Sequence, residues 1–528
     1  MPIDQAGNGQ AVLLVRPFDG VRAEDKTYDH LGIGYLSSYL ESRGIRADVS
    51  DMVLGTESTT ADVARRVSES AYRLVGISAT SQLGFPEVVE VARAIRRDSP
   101  STHICIGGHF PTVAHDKLLR DFDCFDSVAR GEGEEPLHDL ATRVLGGKEL
   151  AGLHGVTYRH QDEVVVGPRA DLIQDLDTLP FPKRQFMPPE YGGIRYATMV
   201  SSRGCQYRCS FCSVQAFYGC GWRARSADNI VAEMVELHQR EGCDGFDFAD
   251  DSFIPVGQEG SERIRQLCAA IKGSGLQDLT LIALLTAAQV NDEVIHQLRE
   301  VGLKSALIGI ESASAAVLRR FQKGATPEIN ERAIQVLHRH GIEINAGFIM
   351  FDPETTLEDI EANIAFLKRH ASYLIFEMLS RLSVYTGTPI YEELEAQGQL
   401  KGDYLNPDYE FADPKIAWLH AVSSGLMERW MGVVSDWTRG FKWGAGSLPA
   451  PFRRARRQKM FQYALEVFTE LTDLVKSASE LPSVDEAISR LSPGVNMGFE
   501  QLVNPIAEED MNEIRNLVPS YRYAENIT

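Results

Sequence analysis

Three cysteines, Cys205, Cys209 and Cys212, fall within eight residues of the stretch Ser201-Ser202-Arg203-Gly204-Cys205-Gln206-Tyr207-Arg208-Cys209-Ser210-Phe211-Cys212. Their spacing is C-x3-C-x2-C. The 528-residue chain holds eight cysteines, so such a spacing is expected by chance roughly 0.002 times. Thiolates this close can converge on one zinc ion or on one iron–sulfur cluster. A structural zinc site takes four closed ligands, usually as two separated pairs. Here there are three, with Cys220 the nearest spare and no histidine partner nearby. The spacing therefore favours a four-iron cluster held through three irons, the fourth left open to a small molecule.

Elements with a definite order must carry that loop. Residues 11–18 read as a buried strand, Leu31–Arg43 as an amphipathic helix ending at Gly44, and Ala47–Met52 as a strand. Ala61–Tyr72 and Phe85–Arg97 read as helices, Leu74–Ala79 and His103–Gly107 as strands. This β–α alternation predicts a doubly wound parallel sheet, which binds ligands at the carboxyl ends of its strands. Those ends carry small and polar residues: Ser78-Ala79-Thr80-Ser81-Gln82 and Gly107-Gly108-His109. Val156–Arg159 and Glu163–Val166 read as a hairpin, and Leu179-Pro180-Phe181-Pro182 as a stiff linker. A second alternation starts at Tyr196. Its strands are predicted at Tyr196–Ser201, Gly245–Asp250, Leu281–Thr286, Ser305–Glu311, Asn345–Met350 and Glu377–Val384. Helices at Asn229–Arg240, Asp292–Val301, Glu328–His340 and Leu357–Arg369 separate them.

The cysteine stretch, with Phe211 before its last cysteine and its Arg-Gly lead-in, resembles the cluster motif of the radical S-adenosylmethionine (SAM) enzymes. Gln206 stands where relatives often carry Pro. The resemblance implies a 4Fe–4S cluster on Cys205, Cys209 and Cys212, SAM on the open iron, and Phe211 against the adenine. The six later strands then suit a partial (β/α)6 radical SAM barrel, whose chemistry lies at the C-terminal ends of strands. At those ends stand Asp250 and Asp251, Glu311 and Ser312, and Asp352, Glu354 and Thr355. The resemblance assigns the Asp250–Asp251 segment to the SAM amino group and Glu311, with Ser312, to its ribose or amino-acid end. Helix capping is the other reading of Asp251 and Asp352. The ending Tyr385-Thr386-Gly387-Thr388-Pro389 also matches the family.

The N-terminal pattern, Leu31-Gly32-Ile33-Gly34-Tyr35-Leu36, Gly76-Ile77-Ser78, Gly107-Gly108-His109-Phe110-Pro111-Thr112 and Arg130-Gly131-Glu132-Gly133-Glu134, resembles the cobalamin-binding domain found in front of radical SAM domains. It implies that Ser78, Thr80, Gly107, Gly108 and His109 line the corrin and its nucleotide tail. The Asp-x-His-x-x-Gly motif that ligates cobalt in many cobalamin proteins is missing; Asp29-His30-Leu31-Gly32 has the wrong spacing, and His30 reads as a helix-start residue.

The expected fold class is α/β: a Rossmann-like cobalamin-binding domain (1–165), a linker (166–190), a radical SAM partial barrel (191–395) and a helical C-terminal domain (396–528). In the last, Ile416–Trp437, Gln458–Ser477 and Asp485–Leu491 read as helices that could close the barrel mouth. Four of the five tryptophans, Trp418, Trp430, Trp437 and Trp443, read as core. The net charge of −21 disfavours nucleic acid. No apolar run is long enough for a membrane span, and the polar first ten residues carry no secretory signal, so a cytoplasmic protein is expected. Arg453 to Lys459, five basic residues in seven, reads as a solvated helix face or as arginines neutralising nearby acids, with a docking patch for a carrier-bound or phosphorylated substrate as the other reading. The two cofactor domains imply a cobalamin-dependent radical SAM C-methyltransferase acting on an unactivated carbon of a small molecule, with flavodoxin or ferredoxin as electron donor. The layout is most like the C-methyltransferases of antibiotic biosynthesis, including those of aminocoumarin pathways. A cyclase, ring-contracting enzyme or isomerase without methyl transfer is the alternative; a cofactor sensor is a third.

Overall fold

The computed structural model describes residues 11–18, 29–55, 57–187, 190, 193–219, 221–370, 374–375, 378–443 and 450–503. Side chains at 374–375, 429–443, 450–457 and 501–503 lie outside that description.

The first unit alternates β1 (Ala11–Arg16), α1 (Leu31–Ser42), β2 (Arg46–Asp51), α2 (Thr60–Ser70), β3 (Leu74–Ser78), α3 (Phe85–Asp98), β4 (His103–Gly107), α4 (His109–Asp121), β5 (Ser127–Ala129) and α5 (Glu134–Leu145). The hairpin β6 (Val156–His160) and β7 (Glu163–Val166) comes next. The sheet order is β2-β1-β3-β4-β5-β6-β7, parallel as far as β5 and antiparallel after it. The central strands are mostly apolar because both faces are covered. Val75, Ile77, Ile104 and Ile106 face the α2–α3–α4 side, while Val12, Leu14, Leu74 and Cys105 face α1 and α5.

The second unit begins with β8 (Tyr196–Met199), the short β9 (Ser202–Arg203), α6 (Val214–Tyr218), β10 (Arg223–Ala224), α7 (Ala227–Glu241), β11 (Gly245–Phe248) and α8 (Gln258–Gly273). It continues with β12 (Thr280–Thr286), α9 (Asp292–Glu300), β13 (Leu303–Glu311), α10 (Ala315–Arg320), α11 (Pro327–Arg339), β14 (Glu343–Phe348), α12 (Leu357–His370) and β15 (Leu374–Ile375). Strands β8, β11, β12, β13, β14 and β15 form one open parallel sheet in chain order, the curved half-barrel expected from the alternation. Its helices start on side-chain caps, Ser226 before α7, Asn291 before α9 and Thr326 before α11, which satisfy first-turn N–H groups.

The sixth strand departs from expectation. It is the two-residue β15, not Glu377–Val384; Glu377 lies outside the described residues. Beyond it the chain meets β14's extension through one bridge, Phe351 to Arg381. Around it Met350 N and Phe351 N donate to Ser380 O, at 3.0 and 3.1 Å, and Leu382 N donates to Phe351 O at 2.8 Å. After α13 (Pro389–Ala396) comes the strand pair β16 (Leu400–Lys401) and β17 (Asp408–Tyr409), which meets the Arg381 side chain. Arg381 pairs with Asp408 at 2.6 Å and covers the Tyr409 ring at 3.9 Å.

Helices α14 (Pro414–Trp443), α15 (Ala450–Ser477) and α16 (Val484–Val503) complete the chain. The last runs through Pro493, past the predicted stop. They share one core with the barrel: Phe351 touches His420 at 4.9 Å and Phe468 at 5.9 Å. Trp418 is buried there and donates to Pro482 O at 2.7 Å. The other three clustered tryptophans, and Arg453 to Arg457, fall where side chains lie outside the described residues.

Candidate cofactor site

The loop after β8 is shaped before any ligand is considered. Gly204 has φ +84°, and a side chain there would run into the Gly221 carbonyl, so only glycine serves. Ser210 N donates to Phe321 O at 2.9 Å and Ile390 N to Ser210 O at 3.0 Å, which ties the loop to both neighbouring segments. Phe211 packs edge-on against Phe321 at 5.1 Å. Cys209 is buried, and Cys205 and Cys212 are partly exposed; none of the three is in a disulfide. Cys220 lies outside the described residues.

Burial pushes the Cys209 thiol up to about 11, against the pull of Lys323. Burial also raises Cys205 and Cys212. Backbone N–H groups of Tyr207 and Gln206 oppose it at Cys205, and that of Val214 at Cys212. N–H groups aimed at sulfur and a buried ammonium are what thiolates on an iron–sulfur cluster require. Among the described residues no three His, Cys, Asp or Glu side chains converge on a single ion; in a cluster each thiolate takes its own iron.

Lys323 is buried and pairs with Glu311 at 2.6 Å. Glu311 sits at φ +60° where β13 breaks register with β14, which turns its carboxylate toward Lys323. Ser312, fully buried, donates to Asn363 Oδ1 at 2.9 Å and accepts from Ser314 N at 3.1 Å, so its hydroxyl is committed to the frame. The two aspartates after β11 part company. Asp250 accepts from Ser201 N at 3.1 Å, Ser201 Oγ at 2.9 Å and Ser202 Oγ. Asp251 accepts from Gly204 N at 3.0 Å and faces a cavity. Burial pushes its carboxyl up to about 6. Asp352, buried, pairs with Arg320 at 2.9 Å and caps Glu354 N at 3.0 Å.

That cavity is large: about 300 Å³, or about 1250 Å³ with the space at its mouth. Ser78, Thr80, Gly107, Gly108 and His109 line one side, Ser202, Arg203 and Asp251 the other. Its floor is an apolar slot along Leu14, Gly76 and Cys105. A methyl group at Gly76 would come within 3.0 Å of Leu14 Cδ2, and one at Gly108 (φ +124°) within 2.5 Å of Ala79 O. His30 caps α1, its Nδ1 accepting from Ile33 N at 3.2 Å, which leaves Nε2 to donate to Ser78 Oγ at 3.0 Å. Both ring nitrogens are thereby engaged. His109 differs: its Nε2 is buried without a hydrogen-bond partner, and burial lowers its pKa to about 4. An apolar slot narrowed by no side chains at its glycines, with an unpaired imidazole nitrogen at the rim, fits a broad flat amphipathic group such as a corrin.

Sequence reasoning missed the ion network that closes this cavity. Arg203, one residue before Gly204, pairs with Glu132 at 2.8 Å and Glu134 at 2.6 Å and covers the Tyr35 ring. Arg223 pairs with Glu132 at 2.9 Å. Behind them Arg184 binds Asp29 and, at 2.8 Å, Glu233, which also holds Arg225 at 2.5 Å. Gln82 adds a tether, donating to Val384 O at 2.9 Å and accepting from Thr386 N at 3.2 Å. The only signal was the Arg-Gly-Glu-Gly-Glu run, which names carboxylates but not their partners.

Comparison with known proteins agrees with both halves. Residues 24–141 match the B12 binding domain and residues 199–367 the Radical SAM superfamily. An uncharacterized methyltransferase of Pyrococcus horikoshii is 29% identical over 366 residues, 69% of this chain and 77% of that one. The anaerobic magnesium-protoporphyrin IX monomethyl ester cyclase of Rubrivivax gelatinosus is 25% identical over 453 residues, 83% and 78% of the two chains. The structure of the cobalamin-dependent SAM radical enzyme OxsB with aqua-cobalamin bound superposes with a TM-score of 0.73 at 18% identity, covering 97% of this chain and 81% of that one. With a cysteine loop, a cavity between the two sheets and both domain matches on one polypeptide, the chain joins a B12 binding domain to a Radical SAM domain, and its cofactors are a 4Fe–4S cluster, SAM and cobalamin.

Proposed function

We propose that this enzyme is a C-methyltransferase that moves a methyl group from SAM, by way of cobalamin, to an unactivated carbon of a small molecule. The observation that carries the reading is the shared cavity: strand ends of the first sheet and the residues flanking the cysteine loop line one space. When bound, the cluster supplies the electron that cleaves SAM and cobalamin carries the methyl group. The chain's own residues hold, orient and shield. Cys205, Cys209 and Cys212 are the cluster ligands in this proposal, and Phe211 flanks the adenine. Asp251, on the cavity side, meets the SAM amino group, while Asp250 holds the loop from behind. Glu311 acts through Lys323, and Ser312 through the frame. Ser78, Thr80, Gly107, Gly108 and His109 face the corrin. With the cofactors in place, the largely apolar lining would limit the room left for water around them.

The reading takes the chain as four parts, 1–165, 166–190, 191–395 and 396–528, working in the cytoplasm with flavodoxin or ferredoxin as reductant. A natural product on an antibiotic pathway, delivered free or on a carrier protein docked at Arg453 to Lys459, is the proposed substrate class.

Anaerobic reconstitution with candidate substrates and SAM deuterated in its methyl group tests the proposal. Expected are a product carrying the whole labelled methyl, together with S-adenosylhomocysteine and 5′-deoxyadenosine. The Rubrivivax relative, a cyclase, favours one second reading: ring formation without methyl transfer, which gives 5′-deoxyadenosine, an unlabelled product and no S-adenosylhomocysteine. That result would overturn methyl transfer.

A further inference from the structure

A second pocket, about 150 Å³, opens beside the large cavity and shares Gly131, Glu132 and Phe217 with it. Two arginines line it, Arg130 at the end of β5 and Arg169 after β7. Arg130 gives Nη2 to the Gly167 carbonyl and, at 3.3 Å, to that of Pro168. Its Nε is buried without a partner. Arg169 makes one bond, at 3.3 Å to Phe217 O. Carbonyls accept hydrogen bonds but cancel no charge. Burial, and next the charge of Arg169, depress the Arg130 pKa, and no carboxylate offsets them. Glu132 is already taken by Arg203, Arg223 and the N–H of Ile173 at 2.8 Å. Thr112 is also taken, donating to Gly108 O and accepting from Gly131 N. Asp171 is the other acid on the wall, and it forms no ion pair with either arginine within 4 Å among the described residues.

Arg130, partly buried and without a carboxylate partner, and the exposed Arg169 face one small pocket, and an anion between them would offset their repulsion. The planar forks of arginine match the oxygens of a phosphoryl group in pairs. The pocket's volume equals about five waters at roughly 30 Å³ each, room for a tetrahedral oxyanion. We propose that Arg130 and Arg169 form a phosphate subsite, entered from the large cavity. The phosphate belongs either to the nucleotide loop of the cobalamin or to a phosphorylated substrate. The inference does not depend on methyl transfer, because binding alone tests it.

The experiment titrates inorganic phosphate into the full-length protein and tracks hydrogen exchange of segments 130–133 and 169–172. Arg130→Gln/Arg169→Gln is compared with wild type, and Arg169→Gln alone serves as the milder change, since Arg169 makes a single carbonyl bond. Phosphate should protect both segments in wild type, with affinity falling about tenfold or more in each variant. Cobalamin and cobinamide, which lacks the nucleotide and its phosphate, are then bound to the same proteins. Weaker cobalamin binding with unchanged cobinamide binding assigns the site to the cofactor's phosphate; unchanged binding of both assigns it to a substrate's. No protection by phosphate in wild type, or equal protection in wild type and both variants, overturns the proposal.

Discussion

Glu132 should hold the two cofactor sheets together, and Glu132→Ala should loosen them. Its side chain is 4% exposed, against 10% for Arg203 and 8% for Arg223. The substitution removes the 2.8 Å pair with Arg203, the 2.9 Å pair with Arg223 and the 2.8 Å bond from Ile173 N. Arg203 keeps Glu134 at 2.6 Å. Arg223 keeps the Ile173 carbonyl and the Tyr218 ring at 5.7 Å but no carboxylate, and its Nε and Nη2 already lack partners. One buried cation is therefore left uncompensated, at a cost of about 3–5 kcal/mol. The lower end applies because the residue borders a cavity that admits water. At about 1.4 kcal/mol per tenfold, ~3 kcal/mol raises the local opening constant about 100-fold.

Native-state hydrogen exchange at Ile173 and across 131–134 reads that constant directly. Glu132→Leu/Arg223→Leu should recover most of the lost protection, because an apolar pair of similar volume removes the stranded charge. A single-variant effect below about threefold, or a double variant no better protected than the single one, would refute this account of the interface.

Replacing Cys205, Cys209 and Cys212 together by Ala should abolish the iron–sulfur absorbance and all 5′-deoxyadenosine formation, while Cys220→Ser keeps both; retained SAM cleavage in the triple variant would sink the assignment. His30→Ala should leave the absorption of bound cobalamin unchanged, since both ring nitrogens are used within the protein. Losing the cap costs about 1 kcal/mol, a fall of roughly 2–4 °C in the apparent Tm; nitrogen hyperfine structure from His30 in the EPR spectrum of cob(II)alamin would contradict this.

What could be read from the sequence depends on distance along the chain. The cysteine loop is legible because its ligands lie within eight residues, and the strand ends because a parallel sheet always presents its carboxyl ends to ligand. The ion network was not legible. Arg203 and Glu134 stand 69 positions apart, and Arg184 and Asp29 stand 155 apart. A single sequence shows charges without showing which of them meet. The basic and acidic residues of a chain this size allow too many pairings for charge alone to select one.

The aspartates after β11 are a different case, because the needed signal was present. An extended chain sends alternate side chains to opposite faces. Phe248 is core and Asp250 shares its face, buried behind the loop, whereas Ala249 and Asp251 both line the cavity. Reading the strand's period of two one step past its end separates the supporting carboxylate from the one that faces the cofactors. The same step fails at Glu311, where the register breaks and the backbone enters the left-handed region. There the carboxylate's direction is set by Lys323, twelve residues on. Local periodicity orients a side chain only while the strand remains a strand. At the ends, where catalysis is placed, the partner decides.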